Sequence, residues 1–237
     1  MPTVRIGDYL SAPSSGMLRG TPYEHLERAE LADFLTLWKD WHRQSLTRLT
    51  HRIHPTARIH PTAIIGDDVI IGPRVRVWEF STVRAGSVLC ADVSVGFNCE
   101  VTHSFLSERA VLGHRIGINR TLVGADAHLS ANLTVAAISL WSRRMSNPER
   151  EIILRTPDGL YRCGTPQFGA LIGDRVQTGN SISLGPGIAL GRDCRIASGV
   201  TLAARAIPDQ SVITAPHTSD VHVRQRSAHA GGIDTGA

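Results

Sequence analysis

From Ile53 to Glu100 an aliphatic residue opens almost every sixth position, and the chain divides into IHPTAR, IHPTAI, IGDDVI, IGPRVR, VWEFST, VRAGSV, LCADVS and VGFNCE. The fifth place is small or slim throughout, as Ala57, Ala63, Val69, Val75, Ser81, Ser87, Val93 and Cys99. A short self-similar period carried this far is the signature of a solenoid. Each hexad supplies a short strand and a corner, and three hexads make a triangular coil of eighteen residues whose first and fifth positions face inward. Gly and Asn-type residues are expected at the corners, where the backbone takes unusual angles.

After Val101 the register slips by a residue around Phe105–Leu106, resumes at LGHRIG (112–117), slips again near Leu122 and runs on to Val135. Such slips are expected to mark bulges that re-aim side chains. The ladder breaks at about Ala136 and returns at Ile172 as IGDRVQ, TGNSIS, LGPGIA, LGRDCR, IASGVT and LAARAI. Between the two ladders, residues 150–164 alternate around Pro157-Asp158-Gly159, which predicts a β-hairpin in a loop of the functional kind that solenoids eject.

Ahead of the ladder, residues 1–20 contain Pro2, Pro13, Gly16 and Gly20 and read as an extended or mobile arm. Thr21 as N-cap, Pro22 at the first helical position and Glu24 closing a capping box predict a helix to about Leu49. Its apolar face carries Leu31, Phe34, Leu35, Trp38, Trp41 and Leu46, to be buried on the solenoid or a neighbouring subunit. The expected organisation is therefore an arm and helix over 1–52, a β-helix over 53–207 with an insertion at 137–170, and a polar, partly disordered tail over 208–237.

Composition sharpens this picture. Aromatic residues are only 5% of 237, so the core must be assembled from many small side chains in a regular way. The formal charge of +4 is scattered, with no basic run interleaved with aromatics, so no nucleic-acid partner is expected. The first residues lack a secretory pattern and no window approaches a membrane span, which leads to the expectation of a cytoplasmic protein without membrane association. Cys90, Cys99, Cys163 and Cys194 form no CxxC pair and are expected to be buried packing residues. No metal is expected.

Four stretches are more specific than the hexad: VRAGSVL (83–89), VGFNCEVTHS (95–104), LGHRIG (112–117) and FGALIGDRVQTGNSISLGPG (168–187). Together they resemble the acetyltransferase domain of bifunctional sugar-1-phosphate nucleotidylyltransferases, including glucosamine-1-phosphate acetyltransferases. The resemblance implies a left-handed parallel β-helix, an all-β solenoid here carrying an N-terminal helix and an inserted hairpin, that works as a homotrimer on an acyl-CoA. Parallel crossovers are nearly always right-handed, so the hand follows from the resemblance and from no rule of strand chemistry.

By the same resemblance His114 takes the place of the general base, removing a proton from an amine that attacks the thioester of acetyl-CoA or another acyl-CoA. Glu100 matches an acceptor-binding glutamate, Arg84 a phosphate-binding arginine, and Arg143 a lysine that serves the phosphate. Asn180 and Ser198 match contacts to the pantetheine arm, and Arg205 stands where a CoA phosphate can be met. The family's acceptor-site tyrosine is Gly117 here, its two asparagines are His128 and Ala137, and a phosphate-binding lysine is Thr102. These departures argue for a changed small-molecule amine acceptor, with His128 and Asn132, beside Asn119 and Arg120, rebuilding the pocket. An amino sugar, its phosphate or nucleotide, or another small amine is the expected acceptor. Two rivals share the fold: a zinc-dependent γ-class carbonic anhydrase, for which His103, His114 and His128 are the candidate ligands, and a non-catalytic β-helix that assembles or binds a partner.

Overall fold

The computed structural model describes residues 2–215, so most of the tail expected to be disordered lies outside the described residues. Strands of two or three residues build three parallel sheets of eight, seven and seven strands. The first face runs from Arg58–Ile59 to Val212–Ile213, the second from Ile64–Ile65 to Thr201–Leu202, and the third from Ile70–Ile71 to Ala206–Ile207. The coil is a left-handed parallel β-helix. Its last strand, Val212–Ile213, pairs with Arg195–Ile196 and carries the ladder past the boundary expected at 207.

The hexad pattern explains the core. Strand side chains alternate between faces, so the first-position residues Ile71, Val77, Val83, Leu89 and Val95 stack inward with the fifth-position residues Val69, Val75, Val93 and Cys99 in one buried cluster. Both slips in register are real, but they are not bulges. Arg84, Thr102 and Asn119 pair in register, as do Val88, Phe105 and Leu122, so the residue is lost from the corner between two undisturbed strands. The two shortened corners sit one above the other where the second face turns into the third. The insertion leaves from the same edge, between Thr134–Val135 and Ala170–Ile172.

Corner chemistry differs from expectation. Most left-handed corner residues are not Gly or Asn: Arg74, Phe80, Ala85, Asp92, His103, Arg109, Arg115 and Arg120 all have positive φ. Each such residue costs roughly 1–2 kcal/mol. On the edge between the third and first faces, stacked arginines and aspartates pair in two-pronged fashion: Arg74 with Asp92 (2.7 and 2.7 Å), Arg109 with Asp126 (2.6 and 2.7 Å) and Arg175 with Asp193 (2.7 and 2.8 Å).

The N-terminal 52 residues owe their position to the third face. The outward sixth place there is apolar, as Ile70, Val88, Phe105, Leu122 and Leu171, whereas on the first face it is mostly polar, as Arg58, Arg76, Ser94, His128, Gln177 and Arg195, with Val111 and Val212 as the apolar members. The segment expected to be an extended or mobile arm covers this apolar face. Val4, Ile6, Leu10 and Leu18 are buried, in part through short 3-10 turns at Ile6–Asp8 and Gly16–Leu18 that the Gly and Pro content permits. Two buried carboxylates of the β-helix hold it down. Asp174 accepts from the Ser11 amide (2.9 Å) and hydroxyl (2.6 Å), and Glu108 accepts from the Ser14 and Ser15 amides (2.8 and 3.0 Å).

The helix also begins later than the capping pattern predicts. Pro22–Arg28 is 3-10, and the α-helix α1 spans Leu31–Arg48 with Glu30 as its N-cap, accepting from Ala32 (2.8 Å) and Asp33 (3.2 Å). Thr21 instead donates to the Leu18 carbonyl at 2.6 Å. Leu31, Phe34 and Trp38 are buried, and the Trp38 ring meets His103 at 4.6 Å, so α1 lies on its own β-helix. The hairpin forms as expected, Ile153–Thr156 against Gly159–Arg162. Its buried Tyr161 accepts from the Ala32 amide at 2.6 Å and donates to Glu30, which docks the hairpin on the start of α1. All four cysteines are free and buried.

Candidate active site

The edge where the first face turns into the second is regular, with no shortened corner. There Glu79, Phe97, His114, Ala131, Asn180 and Ser198 form a vertical column. Its coils are tied by amide hydrogen bonds from Asn98 to Glu79, Arg115 to Phe97 and Asn132 to His114, each at 2.9 Å, and from Gly199 to Asn180 at 2.9 Å. Close stacking demands glycine at Gly96, where a Cβ would come within 1.5 Å of the Gly113 carbonyl oxygen.

Beside this column a cavity of about 490 Å³ is lined by Trp78, Phe97, His114, His128, Ser130 and Asn180, among others. His114 is exposed, and among the described residues its imidazole has no hydrogen-bond partner, so both ring nitrogens are available to a ligand. His128 reaches the same cavity from the first face, where it pairs in register with Val111 and Gln177. Asn180 stands one coil above Ala131, and its amide donates to the Ser198 hydroxyl at 2.9 Å. Three residues expected from the sequence, His114, His128 and Asn180, thus meet in one cavity, with Ser198 directly above.

The others lie elsewhere. Arg84 and Glu100 are on the second face and form an ion pair, each about half exposed at 55%. They neighbour Gly117, which pairs with Glu100 and has open space where a Cβ would be, nothing lying within 4 Å of it. Asn132 is engaged by Arg115, whose Nε donates to its amide oxygen at 2.9 Å. Arg143 is exposed in the insertion, where its backbone amide donates to Glu149 at 2.8 Å, and Arg205 is exposed at the edge between the second and third faces. The hairpin sits on α1, away from the His114 column, so the inserted loop does not supply the cavity. His103 is buried at the far edge of the second face, so it does not join His114 and His128 in the trio required of a zinc site.

Trp78 and Phe97 were not among the expected site residues. Both are large and exposed, at 45% and 39%, with Phe80 beside Phe97 at 5.8 Å between ring centroids. The signal was present as aromatic residues in the corner positions of VWEFST and VGFNCE, places that packing alone leaves to polar residues.

Comparison with known proteins finds matches to part of the chain. The family model of the GMPPB C-terminal domain matches residues 49–149. The bifunctional protein GlmU of Methanococcus vannielii is 27% identical over 109 residues, which is 46% of this chain and 24% of that protein. YaiX, an uncharacterized acetyltransferase of Escherichia coli K12, is 26% identical over 104 residues, 44% of this chain and 42% of its own. The chain carries a hexapeptide repeat and is similar to these proteins over less than half of its own length. It spans less than half the length of the curated relatives it matches. Among solved structures, that of a variant of AntD, an N-acyltransferase of Bacillus cereus, in complex with dTDP-4-amino-4,6-dideoxyglucose and coenzyme A, is 12% identical, with a TM-score of 0.40 over 73% of this chain and 84% of that one. Among the described residues no helix is long and apolar enough to cross a membrane.

Proposed function

We propose that the protein is an acyl-CoA-dependent N-acyltransferase, with an amino sugar, its phosphate or nucleotide, or another small amine as acceptor and His114 as general base. The observation that carries this reading is the single cavity of about 490 Å³ that unites His114, His128 and Asn180. The relatives named as acetyltransferases support it. In this reading the acceptor's amine attacks the thioester carbonyl, and the imidazole of His114 takes the proton as the carbon–nitrogen bond forms. The thiolate of CoA leaves when the tetrahedral intermediate collapses. The Ser130 hydroxyl, which lines the cavity, is the donor closest in kind to what the developing oxyanion requires. His128 orients the acceptor. The pantetheine arm lies along the column above, at Asn180 and Ser198.

The second face contributes the acceptor floor. Arg84 and Glu100 neutralise each other there, so a ligand phosphate has to displace Glu100 to reach Arg84, and Gly117 leaves room for a larger acceptor. We further propose that the active form is a cytoplasmic homotrimer with the cavity at the boundary between prisms.

The test is thiol release from acetyl-CoA against a panel of amino sugars, sugar phosphates and sugar nucleotides. His114→Ala is expected to lower turnover by ~10²-fold or more, with CoA binding retained. Acetyl-CoA at saturating concentration is expected to raise the melting temperature of the wild type. Absence of that shift removes the donor from the reading, and unchanged turnover in His114→Ala moves the base elsewhere. A β-helix that only binds or assembles would show the first failure.

A further inference from the structure

A second cavity, of about 430 Å³, opens at the edge between the second and third faces, where α1 crosses the stacked corners that carry Ala85, His103 and Arg120. Its charge is one-sided. Lys39, Arg43 and Arg120 line it, with Asp68 as the carboxylate among its lining residues. Arg43 is paired with Asp40 at 3.2 Å. Among the described residues neither Lys39 nor Arg120 has a carboxylate within 4.0 Å, and the Arg120 guanidinium, although half-buried, makes no hydrogen bond. Burial lowers the pKa of Arg120, the direction expected of a desolvated cation without a counter-charge.

At the back of the cavity lies His103, only 8% exposed, with Nε2 buried and without a hydrogen-bond partner. Buried polar atoms are rarely left unpaired. The neighbouring His42 is satisfied, since its Nε2 meets the Asp68 carbonyl at 2.6 Å and its Nδ1 meets the Tyr23 hydroxyl at 3.1 Å. A buried ring nitrogen without a partner and two cations without a paired carboxylate therefore lie at one open cavity.

We propose that this cavity is a binding site for a phosphomonoester group, held by Arg120 and Lys39 with the His103 imidazole at its back. A phosphomonoester carries close to two negative charges near neutral pH and three acceptor oxygens, which matches an excess of cations and several convergent donors better than a carboxylate does. The volume admits a small phosphorylated metabolite or the phosphorylated end of a longer ligand. The site is separate from the His114 cavity, which lies across the whole width of the second face.

The experiment is isothermal titration at low ionic strength with inorganic phosphate, glucose 6-phosphate, ribose 5-phosphate and glucose. Binding of inorganic phosphate or of a sugar phosphate is expected, and the pattern among these three identifies the source of the phosphate, whereas glucose binding as tightly as glucose 6-phosphate would overturn the proposal. Arg120→Gln is expected to weaken it about tenfold and the exposed Lys39→Gln severalfold, while His114→Ala leaves it unchanged. Lys39→Gln keeps the test decisive if Arg120→Gln misfolds, because Lys39 is on the outer surface of α1. No binding by any of the three phosphates up to about 10 mM, equal binding in Lys39→Gln and wild type, or loss of binding in His114→Ala would likewise overturn it.

Discussion

His103 shows what one buried side chain costs this fold. Its pKa is pushed down to about 4, first by burial and then by the positive charge of Arg120. The folded protein therefore refuses a proton that the unfolded chain accepts near ~6.5. Stability is fully present above that value, declines as pH falls through the interval down to about 4, and is lost below it. For a group this buried the full effect is roughly 3 kcal/mol. His42, also lowered by burial, acts in the same direction. The aspartates of the corner ladder do so at lower pH, since pairing with arginine holds Asp92, Asp126 and Asp193 below the ordinary carboxylate value of 3.8. Urea midpoints measured between pH 7 and 4.5 in phosphate-free buffer are expected to fall for the wild type and to fall distinctly less for His103→Phe. Identical slopes would show that His103 carries no such penalty.

At the scale of elements, α1 and the arm are held by side chains and not by propensity. Trp38 is 1% exposed and packs between Phe34, at 4.8 Å, and His103, at 4.6 Å. Trp38→Ala is expected to cost ~3–5 kcal/mol, as large-to-small changes in cores do, read by denaturant unfolding. A loss under ~1 kcal/mol would mean that α1 contributes little to the stability of the β-helix. The ladder itself was legible because every coil repeats the same contact, and even the shortened corners were visible as missing residues. What a period does not reveal is on which edge a slip falls, since it has no marked origin. The slips that flank His114 in sequence thus lie across the second face from it. The arm was misread because Pro and Gly describe local freedom and not the surface that waits for the chain. That surface was nevertheless written in Ile70, Val88, Phe105, Leu122 and Leu171, apolar residues at places that point away from the core. In the site, His114, His128 and Asn180 came from matched motifs. The pairing of Arg84 with Glu100 did not, because neighbouring coils bring together residues sixteen apart.

The whole molecule is a prism with one face covered by its own chain and two left bare. The third face is closed by the arm and α1, which leaves the first and second faces and the edge between them uncovered by the described residues. That edge carries Trp78, Phe80 and Phe97, exposed by 45%, 59% and 39% in a chain whose aromatics are otherwise mostly buried, and it borders the His114 cavity. A contact in which this edge of one prism meets a different surface of the next is heterologous, and it stays finite only if the rotation closes into a ring. The proposed homotrimer is such a ring. Light scattering at micromolar concentration is expected to give about three times the chain mass of 25.7 kDa. The double variant Trp78→Ser, Phe80→Asp, which changes two exposed corner side chains, is expected to shift the population to monomer without unfolding the ladder. If the wild type is already a monomer, the cavity has no second wall and the acyltransferase reading loses its site. If the double variant stays trimeric, the aromatic edge is free to serve the ligand, and its rings become the first residues to test for contact with the acceptor.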